Sequence, residues 1–294
     1  LSLPLPPQDL FHWHERSGAF ERLCPPWDPV EVIHSDGHIR DGSQVKLKVK
    51  GPLGIPLSLE VTHQNYREGE SFQDCQVRGP FKSWVHTHSM KATADPDQSQ
   101  LIDSIDYELP LGVIGQLGGG AMVRKRLDQL FHYRHQVMRH DIALHQRAPH
   151  QKLHVAISGS SGLIGRALSA LLTTGGHQVT RLTRSPAEGA RVWATPESVP
   201  PLDDVDVVIH LAGENVAQRW SSAARQRILE SRTLRTQALA KALATARDRG
   251  VTKPQTLISA SGIGYYGYTG LGDDAIDEQA PLGEGFLAEV CRQW

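Results

Sequence analysis

One eight-residue segment restricts the possible folds more than any other: Ser158-Gly159-Ser160-Ser161-Gly162-Leu163-Ile164-Gly165. An apolar run over residues 152–158 reads as a strand and leads into it. A helical pattern carrying Leu163, Ile164, Ala167, Leu168, Leu171 and Leu172 follows, and Gly175-Gly176 ends that pattern where φ > 0 is needed. The glycines fall as G-x-x-G-x-x-G. The first allows a sharp turn off the strand, the second lets backbone N–H groups approach a diphosphate with no Cβ in the way, and the third lets the helix pack close. The helix N-terminus then offers unpaired N–H donors and a positive dipole end to phosphate. Gly159, Ser160, Ser161, Gly162, Leu163, Ile164 and Gly165 are therefore the expected dinucleotide-binding residues. The G-x-S-x-G spacing of a serine hydrolase elbow is missed, and no G-x-x-x-x-G-K-[ST] loop is present.

The pattern continues as strands alternating with helices. Residues 178–183 read as a strand, and residues 206–212, nearly all apolar, as another with both faces covered. Residues 221–249 form a helical stretch with Ser221 or Ser222 as N-cap and Gly250 as its stop, and residues 255–261 are the last clear strand. This is βαβ order and predicts a doubly wound parallel sheet of Rossmann type. An NAD site usually carries a carboxylate at the end of the second strand. Here that strand ends Thr183-Arg184-Ser185. Arg184 can pair with a 2′-phosphate and Ser185 can add a donor, so NADP is expected in preference to NAD.

Several further segments carry a family resemblance. Asp206-Val207-Val208-Ile209-His210-Leu211-Ala212-Gly213 follows the glycine motif; then come Glu214-Asn215-Val216, Ser231-Arg232, and Ser259-Ala260-Ser261-Gly262-Ile263-Gly264-Tyr265-Tyr266-Gly267. Together they resemble an atypical, epimerase-type group of short-chain dehydrogenase/reductases, the NAD-dependent epimerase/dehydratase-like family. The resemblance implies that Leu211, Ala212, Gly213, Glu214, Ser259 and Ala260 also line the cofactor. It implies that Ser261 orients a substrate, with Tyr265 near it as the candidate acid. The family's proton relay is a Tyr with a Lys four residues later, in which Lys lowers the Tyr pKa. Phe286 and Val290 stand at those two positions, and no Y-x-x-x-K occurs in the chain. Glu284 or Glu289 are the remaining candidates near a nicotinamide. Trp294 falls where the family's sixth helix begins, so the Rossmann domain is expected to be truncated at its C-terminus.

Residues 1–148 have a different character. Two short helices are expected at 8–14 and 19–23. Strand-like runs follow at 30–34, 44–50, 57–66, 71–78, 82–90 and 100–109, several of them alternating as in Ser58-Leu59-Glu60-Val61-Thr62. Residues 112–120 read as a glycine-rich connection, with Gly118-Gly119-Gly120 as a hinge or cavity mouth. A helix over about 121–145 carries a stripe of Val123, Leu127, Leu130, Phe131 and Val137. This α+β order resembles the helix-grip fold of the START/polyketide-cyclase-like superfamily, in which a sheet wraps the last helix around an apolar cavity. That family's first strand would precede Pro4, and with no Met at residue 1 the chain is expected to lack upstream residues. The domains are thus a helix-grip domain over 1–148 and a Rossmann domain over 152–294.

Composition narrows the function. A net charge of −1 offers no basic field to nucleic acid or an anionic membrane, and no apolar run approaches the ~20 residues that span a bilayer. Cys24, Cys75 and Cys291 are an odd count without metal-ligand spacing, which favours free thiols and a cytoplasmic setting. Among the 15 histidines, His86 and His88 share a strand face, and His132 and His135 could share a helix face. Neither pair has an evident third ligand, so no metal is expected. Two functions remain: an NADP(H)-dependent oxidoreductase or epimerase acting on a small molecule, or a dinucleotide-binding sensor without turnover, its first domain holding an apolar ligand. The absent Tyr–Lys pair favours the sensor; substrate and oligomeric state are not legible.

Overall fold

The computed structural model describes residues 1–51, 54–110, 112–148, 151–254, 256–267 and 275–294. The chain divides into two compact units, Leu1–Gln151 with Ala170–Gly176, and Lys152–Ser169 with His177–Trp294.

The first unit runs β1 (Ser2–Leu3), α1 (Pro7–Glu15), α2 (Ala19–Leu23), β2 (Glu31–Ser35), β3 (Gln44–Lys50), β4 (Pro56–Arg67), β5 (Ser71–Arg78), β6 (Ser83–Ala92), β7 (Ser99–Glu108) and α3 (Gly112–His145). The strands make one antiparallel sheet in the order β1-β7-β6-β5-β4-β3-β2. Pro7 opens α1, where its fixed φ suits the first turn and its missing N–H costs nothing. Its buried side, Leu10, Phe11, Trp13 and His14, meets Leu3, Phe72, Met90 and Leu101 from the sheet and Met138 and Ile142 from α3. Each large apolar side chain so buried contributes roughly 1.5–3 kcal/mol. Strand period two decides what else turns inward: on β6, His86, His88 and Met90 are buried while their neighbours are not.

Two expectations are corrected here. The helix α3 begins at Gly112, so residues 112–120 are helix and Gly118–Gly120 is neither hinge nor mouth. Each glycine costs a helix only about 1 kcal/mol against alanine, which a helix docked along much of its length can absorb. In addition, His132 is exposed whereas His135 is half-buried against Asp103, so these two histidines do not share a site.

The second unit runs β8 (His154–Ser158), α4 (Leu163–Thr174), β9 (Gln178–Thr183), β10 (Ala190–Val192), β11 (Val207–His210), α5 (Ser222–Asp248), β12 (Thr256–Ser259), a short 3-10 turn (Ile263–Tyr266) and α6 (Phe286–Gln293). All strand pairs are parallel, in the order β10-β9-β8-β11-β12. Consecutive strands march outward from β8 on one side, and the chain then returns to β8's other flank. That reversal opens a crevice at the C-terminal ends of β8 and β11. Ser221 caps α5, its Oγ accepting from the Ala224 N–H at 3.2 Å, and Gly250 follows the helix at φ +84°. Ala156, Leu182, Trp193, Leu202, Val205, Val208 and Leu239 form the core beneath. Among the described residues, no helix is long and apolar enough to cross a membrane.

Candidate dinucleotide site

The glycine bend sits at that crevice. Gly159 leaves β8 at φ +72°, a conformation only glycine adopts without strain, and a Cβ there would lie 2.7 Å from the Leu211 carbonyl carbon. A Cβ on Gly165 would overlap the Gly159 carbonyl oxygen, and one on Gly162 would come within 3.2 Å of it. The third glycine therefore lets α4 close onto the bend itself. The Gly162 N–H returns to the Gly159 carbonyl at 3.0 Å, and the helix ladder starts with the Arg166 N–H donating to the Gly162 carbonyl. Amides before Arg166 in that first turn are the donors a helix leaves for an outside acceptor. Ser160 is buried, whereas Leu163 and Ile164 are 83% and 67% exposed. The helical pattern puts both with the apolar residues of α4 and the glycine motif puts both at the bend; their exposure agrees with the second placement and not with a packed stripe.

A buried contact ties the bend to β11. Ser158 Oγ lies 2.6 Å from His210 Nδ1 and accepts from the Ala212 N–H at 3.4 Å. Burial, and then the Arg235 charge, push His210 down to about 4, which keeps it neutral at pH 7 and able to accept. The next residues turn over α5. The Glu214 N–H donates to Ser231 Oγ at 2.9 Å, and the Arg232 guanidinium donates to the Glu214 carbonyl at 3.0 Å. Gly213 faces Arg232 so closely that a Cβ would lie 3.0 Å from its Cζ. Leu211, Ala212 and Glu214 are half-buried and Gly213 is exposed.

Arg184 and Ser185 are exposed at the end of β9. Sequence reasoning missed Arg235, which approaches this point from α5. It stacks on the Trp193 ring at 4.9 Å and donates to the Trp193 and Ala194 carbonyls at 3.0 and 2.8 Å. Burial first, and the Arg184 charge second, lower its pKa. The Arg184 and Arg235 charges oppose one another at the strand end, Glu197 partly offsets the charge on Arg235, and among the described residues neither guanidinium has a carboxylate at ion-pair distance. Such a pair suits a phosphate. The clue in sequence was the spacing of arginines along one face of α5, which propensity alone does not single out.

The last segment lies beside the same sheet edge. The Ala260 N–H donates to the His210 carbonyl at 3.0 Å; Ser259 and Ser261 are exposed. Tyr265 is half-buried, edge-on to Tyr266 with ring centres 5.2 Å apart. Gly264 is buried because a Cβ would press within 2.9 Å of Leu287 on α6. Phe286 packs edge-on to Trp220 at 5.3 Å and Val290 is buried, so neither position offers a proton. Glu289 is a half-buried ion-pair partner of Arg292, and hydrogen bonds from Arg292 and Gln293 hold it down to about 2. Glu284, the other carboxylate considered near a nicotinamide, is exposed.

The first unit holds a separate polar cluster that the sequence reading did not anticipate. The expectation that His86 and His88 lack a third ligand is corrected: Asp74, on β5, joins them. Asp103, His63 and His135 complete the group. Burial pushes the two carboxyls up, but the imidazoles that face them, His63, His86 and His88 at Asp74 and His135, His86 and His88 at Asp103, outweigh it and hold both well below the usual range. Burial also opposes charge on His88, yet Asp103 and Asp74 raise it to about 9; burial and the His88 charge push His14 down to about 4.

A parallel sheet reversing at β8, with a glycine bend feeding a helix at the reversal, defines the second unit as a Rossmann-type domain. Residues 155–284 match the NAD dependent epimerase/dehydratase family, and the chain carries a domain of that family. Epimerase family protein Mb2239 of Mycobacterium bovis is 46% identical over 146 residues, 48% of this chain and 46% of that protein. Epimerase family protein YfhF of Bacillus subtilis is 31% identical over 150 residues, 48% of each. The match therefore spans about half the length of these curated relatives. The crystal structure of a nucleoside-diphosphate sugar epimerase from Corynebacterium glutamicum aligns with all of this chain and 61% of its own, at a TM-score of 0.76 and 31% identity.

Proposed function

We propose that the second unit binds NADP(H) across the mouth of the glycine bend and that the protein is an epimerase- or oxidoreductase-like member of the short-chain dehydrogenase superfamily acting on a small molecule. The observation that carries this reading is the bend: Gly159 and Gly165 have no room for a Cβ, and the first turn of α4 presents its amides outward. Gly159, Ser160, Ser161, Gly162, Leu163, Ile164 and Gly165 would hold the diphosphate. Leu211, Ala212, Gly213 and Glu214 would lie along the adenosine side, with Ser259 and Ala260 toward the nicotinamide. Arg184 and Ser185, with Arg235, would take the 2′-phosphate. Ser261 and Tyr265 are the residues assigned to the substrate. The bound cofactor would supply hydride chemistry; this chain's part is to grip the phosphates, orient the ring and shield it.

A second reading is a dinucleotide-binding sensor without turnover. It is favoured by Phe286 and Val290, which fill the relay positions with groups that carry no proton. The first unit's antiparallel sheet and long C-terminal helix support a helix-grip domain in either case, with an apolar ligand as its expected cargo. The thiols of Cys24, Cys75 and Cys291 are free, in keeping with a cytoplasmic setting. Mixing the full-length protein with NADPH and a panel of carbonyl compounds separates the two readings by nicotinamide absorbance. Steady consumption supports the enzyme; binding without consumption supports the sensor; no binding of NADPH overturns both.

A further inference from the structure

Two neighbouring strands of the first unit, β5 and β6, place two imidazoles and a carboxylate around one point. His86 and His88 alternate inward on β6, 3% and 6% exposed, and Asp74 stands opposite His86 in the β5–β6 register. Asp74 Oδ2 is 3.1 Å from His88 Nε2 and 3.6 Å from His86 Nδ1, and all three ligand atoms lie within 4.8 Å of one another. Tetrahedral zinc with bonds of about 2.0–2.1 Å has ligand-to-ligand edges of about 3.3 Å. The two measured edges bracket that value.

The surroundings match what metal-bound histidines need. Such histidines nearly always pass their other ring nitrogen to a carboxylate, which fixes tautomer and orientation. Asp103, opposite His88 on β7, stands at that place for both: its Oδ1 is 3.1 Å from His86 Nε2 and 3.1 Å from His88 Nδ1. The Asp74 ligand is anchored too. Its other oxygen is 3.0 Å from His63 Nε2, and His63 Nδ1 lies 3.3 Å from Ser43 Oγ.

We propose that Asp74, His86 and His88 bind a divalent first-row transition ion of the Zn²⁺ class, with Asp103 and His63 as the outer groups that orient the ligands. Two nitrogens and one carboxylate oxygen are a donor set suited to zinc or iron, and three protein ligands leave a coordination position open. A dication offsets the charge of the two carboxylates. His88 also lines a small cavity with His14, Leu101, Arg134 and Met138, so the centre adjoins space within its own unit.

The test uses the full chain, stripped with chelator, titrated with Zn²⁺ and analysed for bound metal after dialysis. The expected result is one zinc per chain. His86→Ala and His88→Ala should each weaken binding at least 100-fold, Asp103→Asn about 10- to 100-fold, and His132→Ala, at an exposed histidine, not at all. Zinc K-edge absorption on the wild-type protein decides the matter even where a variant fails to fold: two imidazoles in the first coordination sphere are expected. Binding that stays below one per chain, zinc retained unchanged in the folded His86→Ala and His88→Ala variants, or a coordination sphere without imidazole would each overturn the proposal and leave a hydrogen-bonded network only.

Discussion

Gly165→Ala sets local propensity against the close approach in the bend. Within a helix, alanine is favoured over glycine by about 1 kcal/mol, so propensity alone predicts stabilisation. The structure predicts the reverse. A Cβ at this position would overlap the Gly159 carbonyl oxygen and sit 2.7 Å from Ser160 Cα. Both obstacles are backbone, which no rotamer change can move aside. Overpacking of this kind costs up to about 3 kcal/mol; less the helix gain, the net loss is about 2 kcal/mol. The relief available is to push the bend away from α4, which displaces the amides meant for the diphosphate, so NADP⁺ affinity should fall at least tenfold. Urea unfolding followed by tryptophan fluorescence reads the first quantity, and calorimetry with NADP⁺ the second. Gly250→Ala is the control: φ is +84° and nothing lies near a Cβ there, so it should cost about 1–2 kcal/mol of backbone strain and leave affinity unchanged. A Gly165→Ala protein that is more stable than wild type and binds NADP⁺ equally well would refute the packing argument.

Further outcomes follow from other parts of the structure. His210 is held neutral in the fold, at about 4 against 6.5 when unfolded. Above pH 6.5 both states are neutral there; as pH falls from about 6.5 to 4 the unfolded chain takes the proton first, and stability drops by about 3 kcal/mol from this group. His210→Asn should flatten that part of the stability–pH curve, and an unchanged slope would contradict the assignment. Ser221→Ala removes the cap of α5 and should cost about 1 kcal/mol, whereas Ser221→Asp should restore it; equal urea midpoints for all three proteins would discount the cap.

What the sequence revealed followed the range of the interactions involved. The boundaries of β3, β5, β9 and α2 were legible because period-two or 3.6 alternation and bounding turn residues are local signals. So was the bend, where three glycines, a strand and a helix fall within a few residues. The cap of α5 was equally local, narrowed in sequence to Ser221 or Ser222 and given by the structure to Ser221. The first residues of α3 were misread because consecutive glycines argue against a helix until the rest of that helix is docked. β10, three residues between turns, is too short to show a period. The cluster around His86 and His88 was invisible for a different reason. Asp74, Asp103 and His63 come from separate strands, and only the register of β4 to β7 puts them face to face. Arg235 reaches the end of β9 in the same way, through the packing of α5 on the sheet.

The account depends most on phosphate capture at the bend and the neighbouring arginines. Calorimetric titration of the full chain with NADP⁺ and NAD⁺ separately, on wild type and Arg184→Asp, measures it most directly. Wild type should bind NADP⁺ more tightly, and Arg184→Asp should lose about 10- to 100-fold in NADP⁺ affinity, the worth of a hydrogen bond to a charged group, while NAD⁺ affinity is kept or improved. Equal affinities for the two nucleotides in both proteins would contradict the 2′-phosphate assignment, and no heat with either nucleotide would contradict the site itself.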